Sequence, residues 1–213
     1  MDLREQLAEY TRFGWRAGAI KALKRALAPL ADVGSVVVVE LPMPPGPLPA
    51  GAREAGPEDA AQLARIFGST EDKLAARFAR GDRAFLAVPD GAPQHVRWVT
   101  TLPTHMPECE LWICPGPGQV YLYDMATVPA ARGHKLAALV RGFLDGQLAA
   151  DGYRSKLAYV RADNHAMWRA MRDAPGPLRR LMRIGYVKPH GRKGIALGRY
   201  RPPVFKTPPA RSG

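Results

Sequence analysis

The apolar positions of this chain switch repeatedly between a helical and an extended rhythm. Over residues 2–28, Leu3, Leu7, Tyr10, Phe13, Ala17, Ile20, Leu23 and Leu27 recur at steps of three and four, as in an amphipathic helix. Arg4, Glu5, Glu9, Arg12, Arg16, Lys21, Lys24 and Arg25 take its other faces. Gly14 and Gly18 weaken its middle by about 1 kcal/mol each relative to Ala. Residues 35–41 read as a strand. Pro42, Pro44, Pro45, Pro47 and Pro49 follow it, a composition that keeps a connection extended and stiff. This divides residues 1–49 from a main domain at 50–201, with a Pro-rich basic tail at 202–213.

Within the main domain the rhythm predicts a short strand near Arg53 and helices over 58–67 and 71–80. Strands follow at 84–88 and 95–101, separated by a turn at Asp90-Gly91, and then at 110–113 and 120–127. A long helix over 133–149 leads to a strand at 155–160. A helical stretch after Asp163 breaks at Pro175-Gly176-Pro177, and 186–188 and 195–199 read as a closing hairpin. The order predicts an α+β fold, with helices over a mostly antiparallel sheet and one strand–helix–strand unit in its middle. The tail is expected to be mobile.

Charge adds a question of partners. Thirty-one Lys and Arg face nineteen Asp and Glu, giving a net charge of +12. After Asp173 come Arg179, Arg180, Arg183, Lys188, Arg192, Lys193, Arg199, Arg201, Lys206 and Arg211, with no acidic residue among them. Such a field attracts polyanions, although a charge run is as readily a solvated face. Tyr186, Tyr200 and Phe205 alone interleave these cations. That is thin for a stacking platform, which argues against a nucleic-acid partner. Two cysteines and a charged first ten residues predict a cytoplasmic protein without a secretion signal. No apolar run is long enough to span a bilayer. His105, Cys109 and Cys114 match no zinc spacing, so no metal is expected.

The run most informative about chemistry is Val120 to Ala137, V-Y-L-Y-D-M-A-T-V-P-A-A-R-G-H-K-L-A. A strand ends at Val128-Pro129, a short turn follows, and Arg132-Gly133 opens a helix. The first turn of a helix exposes unpaired N–H groups at the positive end of its dipole, where a diphosphate can sit. Arg132 and Lys135 add charge, and Gly133 allows close backbone approach.

These residues resemble the acyl-CoA signature of the GNAT N-acetyltransferase superfamily, Arg/Gln-x-x-Gly-x-Gly/Ala after a strand ending in Val-x-Pro. Arg132 matches its first position and Ala137 its last, while Lys135 stands where Gly is usual. Downstream, Asn164 after the strand at 155–160 and Ile184-Gly185-Tyr186 fit the family's later elements. The spacing between Asn164 and Gly185 is longer than usual, and Leu181 replaces a Tyr that protonates the leaving thiolate in many members. The resemblance covers roughly residues 50–200.

It implies an N-acyltransferase that moves an acetyl or longer acyl group from acetyl-CoA or another acyl-CoA to an amine. The acceptor is a small amine, an amino sugar or a protein amine. Met125, Ala126, Thr127 and Val128 would run beside the pantetheine arm, one N–H serving the oxyanion. Arg132, Gly133, His134, Lys135, Leu136 and Ala137 would hold the diphosphate. Asn164 and Trp168 would line the cosubstrate. Asp124, Tyr123 and Glu110 are the candidate bases, and strand alternation lets only one of Tyr123 and Asp124 face the cleft. The basic C-terminal region admits an acidic acyl carrier protein as donor, and a homodimer is compatible with the resemblance. Two other classes compete with the enzyme: a binding module of this fold without catalysis, and a nucleic-acid binder.

Overall fold

A computed structural model describes residues 25–172 and 174–209. Up to residue 24, the helix expected over 2–28 falls outside that range. In chain order the described elements begin with strands β1 (Ala31–Pro42) and β2 (Ala52–Ala55) and helices α1 (Ala60–Phe67) and α2 (Glu71–Ala79). Strands β3 (Arg83–Ala87), β4 (His95–Thr100), β5 (Thr104–Met106), β6 (Leu111–Ile113) and β7 (Gln119–Thr127) follow. Then come α3 (Leu136–Ala150), β8 (Ser155–Arg161), α4 (His165–Arg172), β9 (Arg179–Pro189), β10 (Ile195–Leu197) and β11 (Val204–Phe205).

An eight-stranded sheet runs in the order β10-β9-β1-β8-β7-β4-β3-β2, and β11-β6-β5 form a small second sheet. Every neighbouring pair is antiparallel except β7 and β8, which flank α3 as the expected strand–helix–strand unit. The core follows from alternation along the strands. Phe85, Ala87, Val99 and Val120 pack with Leu136, Val140, Leu144 and Leu148 of α3. Val37, Val39, Leu41, Ala158 and Val160 pack with Met171 of α4 on the same face. On the opposite face Ala84, Leu86, Val96 and Trp98 meet Leu63 and Leu74 of α1 and α2. Beside them Val36, Val38, Leu157, Ile184 and Tyr186 meet Met106, Leu111, Ile113 and Val204 of the small sheet.

β1 is an interior strand. Four consecutive valines, Val36 to Val39, are buried on both faces, the habit of a strand covered on each side, and it bonds to β8 and β9. The strand assigned by sequence to residues 1–49 is therefore shared with the main sheet rather than held apart from it. The Pro-rich connection after it crosses α3, where the Gly46 carbonyl lies so close to Gly146 that a Cβ there would stand 2.8 Å from it.

Four further differences have local causes. α3 begins at Leu136 rather than 133, because Gly133 and Lys135 both take positive φ. The hairpin β5–β6 places a strand at 104–106, too short to show a rhythm. β9 is an eleven-residue strand starting just after Pro175-Gly176-Pro177, where the sequence reading placed a strand only at 186–188. The tail is partly anchored: Val204 is buried, β11 pairs with β6, and the Cys114 N–H donates to the Pro203 carbonyl.

Gly34 pairs with Tyr186 across β1 and β9. A Cβ on Gly34 would stand 2.5 Å from the Tyr186 hydroxyl, and that ring is fully buried. Gly34→Ala is expected to destabilise the fold by about 1–3 kcal/mol. Urea denaturation would show it as a lower midpoint, and an unchanged midpoint would contradict the packing.

Candidate active site

The parallel pairing of β7 and β8 lasts only from Gln119 opposite Ser155 to Tyr121 opposite Leu157. Beyond it, β7 continues to Thr127 bonded to β4, and β8 continues to Arg161 bonded to β1. The strands part, and a wedge opens through the sheet. A narrow cavity of about 80 Å³ lies between α3 and α4, lined by Leu41, Val140, Leu144 and Met171 among others. A wider cavity of about 450 Å³ includes Thr104, His105, Tyr121, Tyr123, Asp124 and Tyr159, on the side of the small sheet. Arg97, Leu122, Met125 and Met167 line both, so the two cavities adjoin through the gap.

β7 carries a bulge where the gap widens. Trp98 of β4 pairs with Tyr123 and Arg97 with Met125, which leaves Asp124 as the extra residue, at φ 35°. Bulges re-aim side chains and often lie beside active sites. Here the bulge breaks the alternation, so Tyr123 and Asp124 both reach the wide cavity. The Val128 N–H donates to the Gln94 carbonyl at 2.9 Å, on the β4 side. Because successive strand N–H groups alternate in direction, those of Thr127 and Met125 are turned toward the gap.

The carboxylates here are held from behind. Arg77 donates to Asp124 at 2.6 Å and lies over the rings of Phe67, Trp98 and Tyr123. The Asp124 side chain remains 47% exposed, so its second oxygen is open to the cavity. Tyr123 donates its hydroxyl to the buried Asp82, which also receives Arg80. Burial, and then that carboxylate, raise the Tyr123 pKa well above the usual phenol range, so Tyr123 holds its proton too tightly to act as a base. Glu110 sits at the end of the β5–β6 turn at φ 52°, 3.4 Å from His105, and does not line the cavity. Its neighbour Glu108 accepts from the Tyr159 hydroxyl at 3.0 Å. Sequence reasoning missed Glu108 because the hairpin that turns it toward β8 is too short to read. It missed Tyr159 because an apolar strand explains it equally well. Tyr121 stacks between Tyr123 and Tyr159, with centroids 6.1 and 6.3 Å away.

The turn between β7 and α3 has the expected residues in an unexpected form. Pro129–Ala131 is one turn of 3-10 helix. Gly133 follows at φ 87° and Lys135 at φ 56°. The first backbone bonds of α3 come from Ala138 and Leu139 to the Lys135 carbonyl, at 2.9 and 3.2 Å, and the N–H groups just before them have no acceptor among the described residues. Arg132, Gly133, His134 and Lys135 are exposed around them. Lys135 thus keeps the left-handed conformation that suits the family's usual Gly, with its side chain in solvent. The Leu136 side chain belongs to the core, whereas Ala137 lines the narrow cavity.

Asn164 lines the wide cavity, and its side-chain carbonyl accepts from the Met167 N–H at 3.1 Å, capping α4. Trp168 lines neither cavity. Its Nε1 donates to the Arg161 carbonyl at 3.2 Å, and its ring packs among the core residues under Arg180. Leu181 packs against the core on β9 and supplies no phenol. Several late cations also have structural partners: Arg179 pairs with Glu40 at 3.1 Å and Arg183 donates to Ser35 at 2.9 Å. Cys109 and Cys114 are buried.

The chain matches no family model and no curated protein. Solved structures do resemble it. One, from Novosphingobium aromaticivorans and assigned to the GNAT acetyltransferase family, superposes with a TM-score of 0.54 at 18% identity, over 79% of this chain and 67% of that one. A GNAT-family acetyltransferase from Colwellia psychrerythraea gives 0.51 at 17% identity, over 73% and 56%. A conserved protein of unknown function from Staphylococcus epidermidis gives 0.51 at 5% identity, over 78% and 66%. The chain thus spans about two thirds or less of these proteins' lengths. These likenesses establish that the chain has the GNAT fold, a mixed α+β architecture with a mostly antiparallel sheet. Among the described residues no helix is long and apolar enough to cross a membrane.

Two measurements check the site's local physics. A non-glycine residue in the left-handed region costs about 1–2 kcal/mol, so Lys135→Gly is expected to be more stable than Lys135→Ala by about 1 kcal/mol. Equal denaturation midpoints would contradict the assigned backbone. His95 is buried, with Nδ1 2.7 Å from the Thr127 hydroxyl. Burial, aided by the nearby Arg97 charge, pushes its pKa down to about 4. The unfolded chain then binds the extra proton first, so stability falls as pH drops from about 6.5 toward 4, by up to roughly 3 kcal/mol. His95→Gln is expected to flatten that part of a stability–pH profile; an unchanged slope would contradict the assignment.

Proposed function

We propose that this protein is an acyltransferase that moves an acetyl or longer acyl group from acyl-CoA to an amine. The observation that carries the reading is the wedge between β7 and β8. Its two cavities meet at Leu122 and Met125, one opening between α3 and α4 and the other on the opposite side. A thioester entering from the α3 side and an amine from the other can meet there without a second opening.

The proposed roles follow from position. The N–H groups before Ala138, with Arg132, His134 and Lys135, take the diphosphate, as helix starts take anions. The pantetheine arm runs along Met125 to Val128, using the strand edge that β8 leaves unpaired. The N–H of Met125 or Thr127 donates to the thioester oxygen as negative charge develops on it, a preorganised donor in a water-poor gap. The Asn164 amide nitrogen, left over from its capping role, is a further donor at the mouth. The amine reaches the acyl carbon from the wide cavity and passes its proton through water to Asp124. The bond to nitrogen forms, the carbon–sulfur bond breaks, and the thiolate leaves with CoA. With Leu181 in place of a phenol, the thiolate takes its proton from solvent.

Activity with acetyl-CoA and a panel of amines tests the reading. Asp124→Asn is expected to lower kcat/KM by about 10²-fold, and Glu108→Gln by less. Arg132→Ala is expected to raise the Kd for CoA thioesters about tenfold while leaving the melting temperature unchanged. Full activity in Asp124→Asn would remove that residue from the reaction. Saturable acyl-CoA binding without turnover on any amine would favour a binding module of this fold.

A further inference from the structure

The gap between β7 and β8 holds a charge that the reaction outlined above does not use. Arg97 lies on β4, opposite Met125 at the bulge, and lines both cavities. Among the described residues its side chain has one hydrogen bond, from Nη1 to the Met125 thioether at 3.2 Å, and sulfur there is a weak acceptor. Its Nε is buried with no acceptor at all. Among the described residues no carboxylate bridges it. Asp124, beside Met125 on the facing strand, is taken by Arg77, and the buried Asp145 is taken by Lys156. On the side of the narrow cavity the groups facing the guanidinium are cationic or neutral, Lys156, Arg141 and His95, the last neutral near pH 7; on the side of the wide cavity Asp124 attracts it without bonding to it. Burial draws the Arg97 pKa down to about 10, which leaves it charged at neutral pH.

A half-buried guanidinium whose Nε is enclosed without an acceptor is costly unless an anion meets it, and its planar fork matches a carboxylate. An acyl-CoA carrying a plain acetyl group offers none at this depth, since its phosphates belong at the start of α3. We propose that Arg97 receives a carboxylate brought into the gap by a substrate. The carboxylate stands at the free end of a dicarboxylic acyl group or on an amino-acid-like acceptor. Both sources share one recognition, a fork of N–H donors beside the reacting carbon, and both rest on the acyl-transfer reading of the wedge.

Calorimetric titration of the full chain tests this with two matched pairs of probes. Succinyl-CoA against butyryl-CoA compares acyl groups of four carbons with and without a terminal carboxylate. β-Alanine against propylamine, in the presence of CoA, compares acceptors in the same way. The wild-type protein is expected to prefer the carboxylate-bearing member of one pair by about tenfold or more. Arg97→Met is expected to lose that preference, and Arg97→Lys to retain part of it. The wild-type comparison stands even where a variant folds poorly. Equal affinities within both pairs, or a preference that survives in Arg97→Met, would overturn the proposal. Butyryl-CoA binding with no carboxylate preference would overturn this inference alone. Binding of neither thioester would count against the acyl-transfer reading, and the acceptor pair would then decide the role of Arg97.

Discussion

After Tyr121 the backbone of β7 stops bonding to β8, and the arrangement of the site depends on that break. An antiparallel partner could have followed β7 to its end. A parallel one joined through α3 can instead turn away once β1 holds its other edge. The valine-rich β1 is therefore more than core. By bonding β8 along seven residue pairs it draws that strand away from β7, while β4 holds β7 along six. The wedge is the space left when two well-paired halves of one sheet share only three pairs between them.

That break exposes backbone donors that would otherwise be spent in the ladder. Unpaired N–H groups in a sheet interior are costly unless water or a ligand meets them. Here they face a gap bounded by Leu122, Met125 and Met167, with the start of α3 nearby. Strain gathers in the same place: Asp124, Lys135 and Glu110 are the described non-glycine residues at positive φ. Two of them flank the wedge, as expected where function holds the backbone in conformations it would not choose alone.

Much of the fold is legible in the sequence, and the reasons differ by element. α3 and the strands beside it carry strong rhythms, so their order, and with it the fold class, could be read directly. The turn at Arg132 to Lys135 stood out because bare backbone next to positive charge is what an anion site needs, and few residue types supply both. Three features were not legible. The bulge at Asp124 depends on a one-residue mismatch with β4 that no local pattern encodes, so the alternation rule failed there. Glu108 and Tyr159 meet only across 51 residues of chain. β9 was hidden because Arg179, Arg180 and Arg183 punctuate its apolar positions, and only pairing with β1 decides that they belong to a strand.

The central claim is that the thioester passes through the gap between β7 and β8. Met125 borders it and is 38% exposed, so Met125→Trp would fill the passage from a position the fold can spare. The most direct measurement is the Kd of acetyl-CoA for this variant beside the wild type, with the melting temperature of each. The account predicts affinity reduced tenfold or more at an unchanged melting temperature. Undiminished affinity in a folded Met125→Trp would mean that the cosubstrate lies elsewhere.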